Sequence, residues 1–513
     1  MTESIIDGPD VVAQMLADKL KEMAEQCPSA PALVAIDEFD KEEILTWHNL
    51  RKAVTGQSAA LLTLRRNYSN PVVHLQAGAD LRSAVVILSC LHSKIPVLVM
   101  STQGGPDFID PIVETVRENF GDPIDIVELT SANQGSGGES RSVNQPSASL
   151  VNSGRQPIFL LTSSGSTGEV KVIPHYRLFG ASASLPNALF AGSSWRQGQR
   201  QLVIASLYHL LHFSTLAEGA LGGCTTVLVK RFSPKQTLSI IGAHEIEWFM
   251  TTPMHMREML EVGGDIASSV RAVRGLLHGA GPCPIHVKRG WIELLSPGHV
   301  YEFYAATEGI GATFVNGHEW LERPGTVGRG FYTQVTVRSR DGSLCPPGQV
   351  GRVYFRRQAR DDLKRDWLNN VPGGHQSLGD LGWLDRDNYL FLAGREQDQL
   401  VVSGQDVTPA QVDALLHKYP GVRDCLTFIV EGAGSAVSLH ALVVPHAGAS
   451  LTDHDLQQYC AAELKPAEVP CSFTLTHRIP RSEIGKIRRR VSQSEYDVIT
   501  APSDSTAPRP YSP

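Results

Sequence analysis

The segment from Leu161 to Lys171 reads LTSSGSTGEVK, an apolar strand that runs into a turn of hydroxyl residues and glycines and ends at a lysine. Hydroxyls and exposed backbone N–H groups in such a turn can surround phosphate oxygens, and glycines let the backbone approach them closely. The segment is not a Walker A loop, because Glu169 and Val170 separate the second glycine from the lysine. Taken alone, it is equally consistent with phosphate binding and with a plain polar turn.

Apolar runs and helical patterns alternate on both sides of this segment. Upstream, residues 10–26 and 47–64 carry apolar side chains at helical spacing, and strand-like runs include VVHLQ near residue 73 and VVILS near residue 86. Downstream, the alternation continues to HVYEFYAATEG at residues 299–309. This pattern predicts the α/β class, with a large N-terminal domain whose mixed, mostly parallel sheets are covered by helices.

The pattern changes beyond about residue 325. Short alternating segments such as QVTVRSR and NYLFLAGR, separated by turn residues, predict a small antiparallel β subdomain at about 325–395. Residues 396–495 contain a strand-like QLVVSG, a helix opened by Thr408 and Pro409, a strand pair and the basic segment KIRRR. They predict a small mobile α+β C-terminal domain.

Two stretches lack any periodic pattern. Residues 131–157 are rich in Ser, Gly and Asn, which predicts a flexible surface loop. Residues 496–513 end in a run rich in Pro, Ser and Thr, which predicts a disordered tail.

The composition narrows the classes of function. The chain has 513 residues, of which 42% are hydrophobic and 19% charged, as expected for a folded soluble protein with more than one domain. Its 46 Lys and Arg residues face 53 Asp and Glu residues, with no long block of either sign, so a nucleic-acid partner is disfavoured. The most apolar stretch, residues 83–101, is interrupted by His92, Lys94 and Pro96, which disfavours a membrane span.

Cysteine usage and the N-terminus bear on the cellular compartment. The chain has eight scattered cysteines without a CxxC pair, which predict buried free thiols rather than disulfides or zinc ligands. The first residues are polar and lack the apolar run of a signal peptide. We therefore expect a cytoplasmic protein.

Four motifs follow one another in a fixed order along the chain. They are LTSSGSTGEVK, YAATEG at 304–309, LGDLGWLDRDNYLFLAGREQDQLVVSG at 378–404, and IPRSEIGKIRRR at 479–490. Together they resemble the successive signatures of the ANL superfamily of adenylate-forming enzymes, which includes acyl- and aryl-CoA synthetases, adenylation domains and luciferases. The resemblance implies a large domain to about residue 395 and a small domain, 396–495, that rotates between two half-reactions.

The resemblance also implies the reaction. A carboxylate attacks the α-phosphate of ATP, in the presence of Mg²⁺, to give an acyl-adenylate and pyrophosphate. A nucleophile then takes the acyl group, and AMP leaves. The phosphate loop of this family corresponds here to Ser163, Ser164, Gly165, Ser166, Thr167, Gly168 and Lys171.

The same resemblance assigns residues to the rest of the nucleotide. Tyr304 corresponds to the aromatic residue that stacks on adenine, and Thr307 to the hydroxyl that meets the α-phosphate. Glu308 corresponds to the carboxylate that helps hold magnesium, a hard cation that favours oxygen ligands. Further nucleotide-binding positions are the ribose-binding Asp380 and Arg395, and Gly279 and Ala280 in the HGAGP turn that lines adenine.

Two further side chains match positions that act in the reaction. Lys486 corresponds to the lysine that reaches the carboxylate and the α-phosphate, where a mobile positive charge lowers the barrier as two anions approach. His209 corresponds to a histidine at the acyl pocket. Considered alone, Lys486 would be one cation in a solvated basic run, and His209 a packed core histidine.

The acid-binding pocket is less clearly marked. The positions that correspond to it carry aromatic and small side chains without a cation, which favours an aryl or medium-sized hydrophobic acid. They are Trp248, Met254, His255, Gly281, Ala305, Gly309 and Ala312.

The C-terminal motifs depart from the family at two places. The hinge position, which is usually Asp or Lys in the family, is Gln397. Beyond the turn at Ser403 and Gly404, where many members carry a basic or amide residue, this chain has Gln405 and Asp406. Gly404 is retained where a glycine lets a pantetheine arm pass in thioester-forming relatives. A thiol acceptor is therefore consistent with the sequence.

Three functions fit these motifs. The first is an acid–thiol ligase that uses CoA or a separate carrier protein, since no carrier domain follows the last motif. The second is an amide synthetase that transfers the acyl group to an amine. The third is a non-catalytic relative that binds nucleotide, which the presence of Lys171, Glu308, Asp380 and Lys486 disfavours.

Overall fold

The computed structural model describes residues 9–68, 70–102, 112, 116, 125–128, 157–164, 170–175, 178, 188–305, 309–357, 374–402, 405–431, 437–481, 485 and 487–500. Within these ranges, only the backbone is described at residues 125–128, 163, 164, 170, 171, 188, 357 and 402. The loop expected at 131–157 lies outside the described residues except for its last position.

Helices and strands alternate through the large domain, as the sequence pattern predicts. The helices are α1 (Pro9–Gln26), α2 (Trp47–Asn67), α3 (Leu81–Ser93), α4 (Ala188–Gly192), α5 (Leu210–Leu221), α6 (Pro234–Ala243), α7 (Pro253–Glu261), α8 (Ile266–Ser269), α9 (Ile285–Leu295), α10 (Gly317–Glu322), α11 (Pro409–Leu416), α12 (Asp453–Glu463) and α13 (Gln493–Thr500). The strands are β1 (Pro31–Ile36), β2 (Glu42–Thr46), β3 (Pro71–Gln76), β4 (Val97–Met100), β5 (Asp125–Glu128), β6 (Phe159–Ser164), β7 (Val170–His175), β8 (Arg200–Val203), β9 (Thr225–Val229), β10 (Trp248–Thr251), β11 (Gly275–His278), β12 (Val300–Ala305), β13 (Ala312–Asn316), β14 (Arg329–Gly330), β15 (Thr333–Arg338), β16 (Gly351–Arg357), β17 (Asp380–Leu384), β18 (Leu390–Arg395), β19 (Leu400–Val402), β20 (Gln405–Val407), β21 (Val422–Glu431), β22 (Val437–Pro445), β23 (Ser472–Leu475) and β24 (Arg490–Ser492).

The largest sheet has nine strands in the order β14-β13-β12-β11-β10-β8-β9-β1-β2. Its centre, from β12 to β1, is parallel. Helix α5 connects the neighbouring strands β8 and β9, and α9 connects the neighbouring strands β11 and β12. The indole N–H of Trp291 on α9 donates to the Met256 carbonyl of α7 at 2.9 Å. Because parallel strands end at one edge, the turns after β10, β11 and β12 lie side by side.

The second sheet has five strands in the order β5-β3-β4-β6-β7. Strands β5, β3, β4 and β6 are parallel, and β7 returns antiparallel to β6 as a hairpin. Helices α1, α2 and α3 pack together against this sheet, and their buried apolar faces form one continuous core with it. The mostly parallel α/β class is therefore confirmed.

Smaller sheets follow in the last third of the chain. Strands β15 to β18 form an antiparallel sheet of four strands, in agreement with the short alternating segments of the sequence. Beyond it, β21 and β22 pair antiparallel in a sheet ordered β23-β22-β21-β24, and α11 and α12 contact its strands. Thr408 is the N-cap residue of α11 and Pro409 its first residue, as expected.

One strand expectation is wrong. The run VVILS near residue 86 belongs to α3, which begins after Asp80, whose carboxylate accepts the Ser83 backbone N–H at 2.8 Å. Helix α3 is buried on nearly all sides between the second sheet and α1 and α2, so it carries apolar residues all around. A short apolar run of this kind cannot be assigned to strand or helix from periodicity alone.

Two further expectations need correction. Residues 496–500 are not a disordered tail, because they belong to α13, where Tyr496 packs 5.9 Å from the Phe428 ring. Residues 501–513 lie outside the described residues. All eight cysteines are unpaired, as predicted, but only four of them are buried and Cys471 is exposed.

No described helix is long and apolar enough to cross a membrane.

Candidate active site

The hairpin β6–β7 carries the expected phosphate loop. In the backbone pairing, Ser163 lies opposite Lys171 and Ser164 opposite Val170. The connection between the strands, with Gly165, Ser166, Thr167 and Gly168, lies outside the described residues, as do the side chains of the residues that flank it. The structure thus confirms the strand that enters the motif and adds a returning strand that begins at its end.

The HGAGP motif forms the turn after β11, next to β12. Ala280 has a φ of 70°, a left-handed conformation that is costly for a residue with a side chain. A Cβ atom at Gly279 would lie 2.7 Å from the Phe303 ring, so only glycine permits this approach to β12. The turn of Gly279, Ala280 and Gly281 is therefore held directly beside the strand that carries Tyr304.

Three predicted nucleotide-binding side chains come together at this edge. The Tyr304 hydroxyl donates to Asp380 Oδ2 in a short hydrogen bond, and Arg395 Nε donates to Asp380 Oδ1 at 3.0 Å. Asp380 begins β17 and Arg395 ends β18, and the two residues are direct partners in the antiparallel pair. A hydrogen bond thus joins Asp380 to Tyr304, 76 residues away in the sequence, and a strand pairing joins it to Arg395, 15 residues away.

Burial and charge differ within this cluster. Asp380 is 5% exposed, whereas half of the Arg395 side chain is accessible to solvent. Burial raises the pKa of Tyr304, and the neighbouring Asp380 carboxylate raises it further, so the phenol stays protonated and donates. The cluster therefore presents a fixed carboxylate, with a guanidinium at its solvent side.

The residues expected to meet the α-phosphate and magnesium follow β12 in the sequence. Thr307 and Glu308 lie outside the described residues. They belong to the connection between Ala305 and Ala312, which pair across β12 and β13. Gly309, in the same connection, has a φ of 65°. Among the residues that the structure describes, no group of three or more His, Cys, Asp or Glu side chains could hold a metal ion.

The residues expected at the acyl pocket include two in helix α7 and one in strand β10. Met254 and His255 lie in the first turn of α7, where the Thr252 hydroxyl accepts the His255 backbone N–H, and the His255 ring packs 4.1 Å from Phe232. Trp248 is instead fully buried at the start of β10, where its indole N–H donates to the Ser193 carbonyl at 3.0 Å.

Trp248 nevertheless borders the nucleotide edge through its neighbours. It shares a hydrophobic cluster with Phe303, the residue whose ring lies against Gly279. Its role in acid binding stays a prediction.

His209 is the N-cap residue of α5 and lies in extended backbone before the helix. Its ring packs 3.9 Å from that of Tyr208 and 6.3 Å from that of His212 in an edge-on contact. The structure thus places it in a small aromatic group at the start of a buried helix. Its role in the acyl pocket stays a prediction.

The expected hinge lies in a short 3-10 turn between the antiparallel sheet and β19. Gln397 is the middle residue of this turn, and its carbonyl accepts the Arg490 Nε–H at 2.8 Å. Asp406 in β20 accepts two hydrogen bonds, at 2.8 and 2.9 Å, from Arg340 in the connection between β15 and β16. Gly404 lies outside the described residues.

Lys486 also lies outside the described residues. Its neighbour Gly485 is described, with a φ of 79°, and a Cβ atom placed there would lie 3.1 Å from Met254 Cβ. The basic motif of the C-terminal unit therefore meets the first turn of α7, next to an expected acyl-pocket residue.

Sequence analysis missed a buried ionic cluster below the HGAGP turn. Lys288 Nζ lies 2.7 Å from Glu302 Oε2, and His278 Nε2 lies 4.0 Å from the same oxygen. Burial lowers the pKa of His278, and the Lys288 ammonium lowers it further, so its imidazole is neutral. Because these residues come from β11, α9 and β12, their sequence spacing gave no sign that they meet.

Comparisons with known proteins agree with this geometry. Residues 20–359 match the family model described as AMP-binding enzyme. The chain is 26% identical over 343 residues to 2-succinylbenzoate–CoA ligase of Bacillus subtilis, which covers 64% of the chain and 67% of that relative. It is 23% identical over 503 residues to a long-chain fatty acid–CoA ligase of Mycobacterium tuberculosis, covering 95% of the chain and 94% of the relative.

A solved structure shows the same fold. The o-succinylbenzoate CoA synthetase of Bacillus subtilis, in complex with its acyl-adenylate intermediate, superposes with a TM-score of 0.69 at 21% identity. The match covers 92% of this chain and 96% of that one. Together with the family match over residues 20–359, this fold shows that the chain belongs to the AMP-binding enzymes of the adenylate-forming superfamily.

Proposed function

We propose that this enzyme activates a carboxylic acid with ATP and transfers the resulting acyl group to a thiol. The observation that carries the proposal is the Asp380 carboxylate, which is nearly buried and is held between the Tyr304 hydroxyl and the Arg395 guanidinium. It lies beside β12, the strand against which the turn of Gly279 to Gly281 packs. Such a site suits the ribose and base of a nucleotide.

The bonding capacity of Asp380 supports ribose binding. A carboxylate has about four acceptor positions. Tyr304 and Arg395 each use one, on different oxygens, so each oxygen keeps an acceptor for one hydroxyl of a vicinal diol. Since Tyr304 is already fixed by its hydroxyl, its ring can meet a base without a further loss of side-chain freedom.

The first half-reaction joins two anions. A carboxylate oxygen of the acid forms a bond to the α-phosphorus of ATP, and the bond from that phosphorus to the pyrophosphate oxygen breaks. We propose that Lys171 neutralises the departing pyrophosphate and that Lys486 lies between the carboxylate and the α-phosphate. Magnesium, when bound, would neutralise phosphate charge, and Glu308 is the residue proposed to hold it.

The second half-reaction consumes the adenylate. A thiol sulfur bonds to the acyl carbon, the carbonyl carbon releases AMP, and the thiol proton is lost to solvent. The two curated relatives named above are CoA ligases, which supports CoA as the acceptor. Gly404 is the proposed point of passage for its pantetheine arm. A carrier-protein thiol and an amine are the other acceptors that the experiment below distinguishes.

The proposed acid is aryl or medium-sized and hydrophobic. Met254, Ala305 and Ala312 supply apolar side chains among the proposed acid-binding positions, and the small residues Ala305 and Ala312 are partners across β12 and β13. The unpaired state of all eight cysteines supports a reducing compartment, the cytoplasm.

Acid-dependent exchange of pyrophosphate into ATP tests the first half-reaction. A panel of benzoate, phenylacetate, hexanoate and oxalate with Mg-ATP is expected to give exchange with the aryl or medium hydrophobic acids and none with oxalate. If every acid fails while ATP still binds, the protein is a nucleotide-binding relative rather than a ligase.

Adding CoA or an amine then separates the second half-reactions. Thioester formation with CoA is the expected result. Amide formation from the same acid and an amine, without thioester, would replace the thiol ligase by an amide synthetase.

A further inference from the structure

The small C-terminal unit contacts the large domain along α7 through two adjacent residues of β21. Asp424 Oδ2 lies 2.9 Å from Arg257 Nη1. Arg423 forms a two-pronged pair with Glu261, with Nε–Oε1 and Nη2–Oε2 distances of 2.9 and 2.7 Å. Both pairs therefore join the same helix to the same strand.

The two pairs differ in burial. Asp424 is 4% exposed and Arg257 9%, whereas Arg423 and Glu261 keep about a third of their side chains in solvent. An exposed ion pair contributes little free energy to stability. A buried carboxylate must instead keep all its partners, because losing one leaves a charge without compensation.

Asp424 makes further contacts inside the C-terminal unit. Its Oδ1 lies 2.8 Å from Arg481 Nη2 and 3.7 Å from His417 Nε2, and it accepts the Cys425 backbone N–H at 3.0 Å. Burial alone would raise the pKa of Asp424, but His417, Arg481 and Arg257 together lower it well below the usual range. The carboxylate is therefore ionised and shared between the two domains.

Arg481 extends this network into the last motif. Its Nη1 reaches the Gly485 carbonyl at 3.4 Å, so the guanidinium contacts the residue that precedes Lys486. Gly485 in turn lies against Met254 in the first turn of α7, the helix that carries Arg257. The Asp424 carboxylate thus connects α7 to Arg481 and, through Arg481, to Gly485.

We infer that Asp424 is a positioning residue that couples the docking of the C-terminal unit on α7 to the placement of the segment that carries Lys486. This inference rests on the proposed role of Lys486 in adenylation. Arg257 reaches Asp424 only when the unit is docked as here, and Asp424 then orients Arg481 and the turn behind it. The adjacent pair of Arg423 and Glu261 joins the domains without a hydrogen bond to Arg481 or Gly485. Glu261 Oε1 lies 3.9 Å from Arg257 Nε, which is beyond hydrogen-bond distance.

The test compares Asp424→Asn with Glu261→Gln, the matched control from the neighbouring pair. The first readout is acid-dependent pyrophosphate exchange with an acid that is active in the panel above. We expect Asp424→Asn to lower its kcat roughly 10- to 100-fold, the value of a lost charge-assisted contact, and to leave the KM for ATP unchanged. Glu261→Gln should stay within about twofold of the wild type.

A second readout isolates the positioning role from folding. Release of AMP from the preformed acyl-adenylate by CoA should stay within about twofold in Asp424→Asn, because this step does not use the docked Lys486 segment. Thermal melting shows whether Asp424→Asn is folded. If it is not, Arg257→Gln replaces it, since this change removes the contact between the domains and keeps Asp424 with Arg481.

Hydrogen exchange of the peptide 479–490 provides a readout that needs no acid. Faster hydrogen exchange in Asp424→Asn and Arg257→Gln, but not in Glu261→Gln, supports the inference. This holds even if no acid is activated, because that result contradicts only the proposed function. Two results would overturn the inference. One is an equal loss of pyrophosphate exchange in Asp424→Asn and Glu261→Gln, and the other is unchanged hydrogen exchange of the peptide in Asp424→Asn.

Discussion

Asp380 organises the candidate site, although its sequence context is that of an ordinary turn residue. Its two oxygens are held by groups from different parts of the chain, and its burial makes those partners necessary. Tyr304 and Arg395 therefore fix this acceptor in advance of the ribose that we propose it binds. A preformed acceptor binds with a smaller entropic cost than one that must be ordered.

Asp380→Asn is expected to weaken nucleotide binding. An amide has one acceptor oxygen in place of two, and its NH₂ group would face the Tyr304 or Arg395 donors. We expect the Kd for ATP to rise roughly 10- to 100-fold. Calorimetric titration measures it, with Tyr304→Phe as the control that keeps both carboxylate oxygens and should lose less. An unchanged Kd in Asp380→Asn would exclude ribose binding at this residue.

Glu218 predicts a pH dependence of stability that has no part in catalysis. It lies in the buried helix α5, and burial raises the pKa of its carboxyl from 4.5 to about 7. Its Oε1 has no hydrogen-bond partner within the part of the chain that the structure describes. The folded state binds the Glu218 proton more tightly than the unfolded state does, so protonation of Glu218 stabilises the fold. This stabilisation is complete below about pH 4.5 and is lost as the pH rises through 7.

Glu218→Gln removes this titration. The free energy of unfolding of the variant, relative to the wild type, should rise by about 2–3 kcal/mol between pH 5 and pH 8.5. Urea unfolding at several pH values measures the difference. A constant difference across this interval would show that the pKa of Glu218 is the same in the folded and the unfolded protein.

At the scale of elements, the buried pair of Lys288 and Glu302 joins helix α9 to strand β12. Both side chains are buried, and Lys288 Nζ also lies 5.0 Å from the centre of the Trp320 ring. Strand β12 continues into Tyr304, so the pair holds a strand that ends in the nucleotide site. A buried ion pair is costly to break from one side, because the remaining charge stays in an apolar setting.

Lys288→Met should destabilise the protein by about 3–5 kcal/mol, because it leaves the Glu302 carboxyl without its cation. The double variant Lys288→Met with Glu302→Gln removes both charges and should recover most of this loss. Urea unfolding at pH 7 compares the two variants with the wild type. If the double variant is no more stable than the single one, the two side chains do not act as a pair.

Elements with a clear period, and motifs that lie within one element, can be predicted from the sequence. The helices α1 and α2 follow from apolar residues at helical spacing, and the antiparallel sheet follows from short alternating segments. Helix α3 was misread because a segment buried on every side has no polar face to show its period. Lys288, Glu302 and Asp424 were missed because a buried charge looks in sequence like any surface charge.

At the scale of the whole molecule, the last motif is proposed to act on a site built by the large domain. The Gly485 position against Met254 brings this motif to α7, and the Arg257–Asp424 contact holds the two units together there. A lysine delivered in this way can serve one half-reaction and leave for the other. Its effect should therefore appear in only one of the two steps.

Lys486→Ala is expected to lower acid-dependent pyrophosphate exchange by roughly 10³-fold, because no mobile cation then meets the two anions in the transition state. ATP should still bind, as calorimetric titration would show. Lys418→Ala, at an exposed lysine of the same unit, is the control and should exchange at the wild-type rate. Exchange that persists in Lys486→Ala would exclude the proposed adenylation role of this residue.

The sequence by itself determined the family, the fold class and the order of the motifs, because periodicity and contiguous loop chemistry are local properties of the chain. Only the tertiary structure decided which side chains meet. The contacts of Asp380 with Tyr304, of Lys288 with Glu302, and of Asp424 with Arg257 join residues 76, 14 and 167 positions apart. Such contacts depend on strand order and domain docking, and a buried charge is explained only by the partner that the fold brings to it.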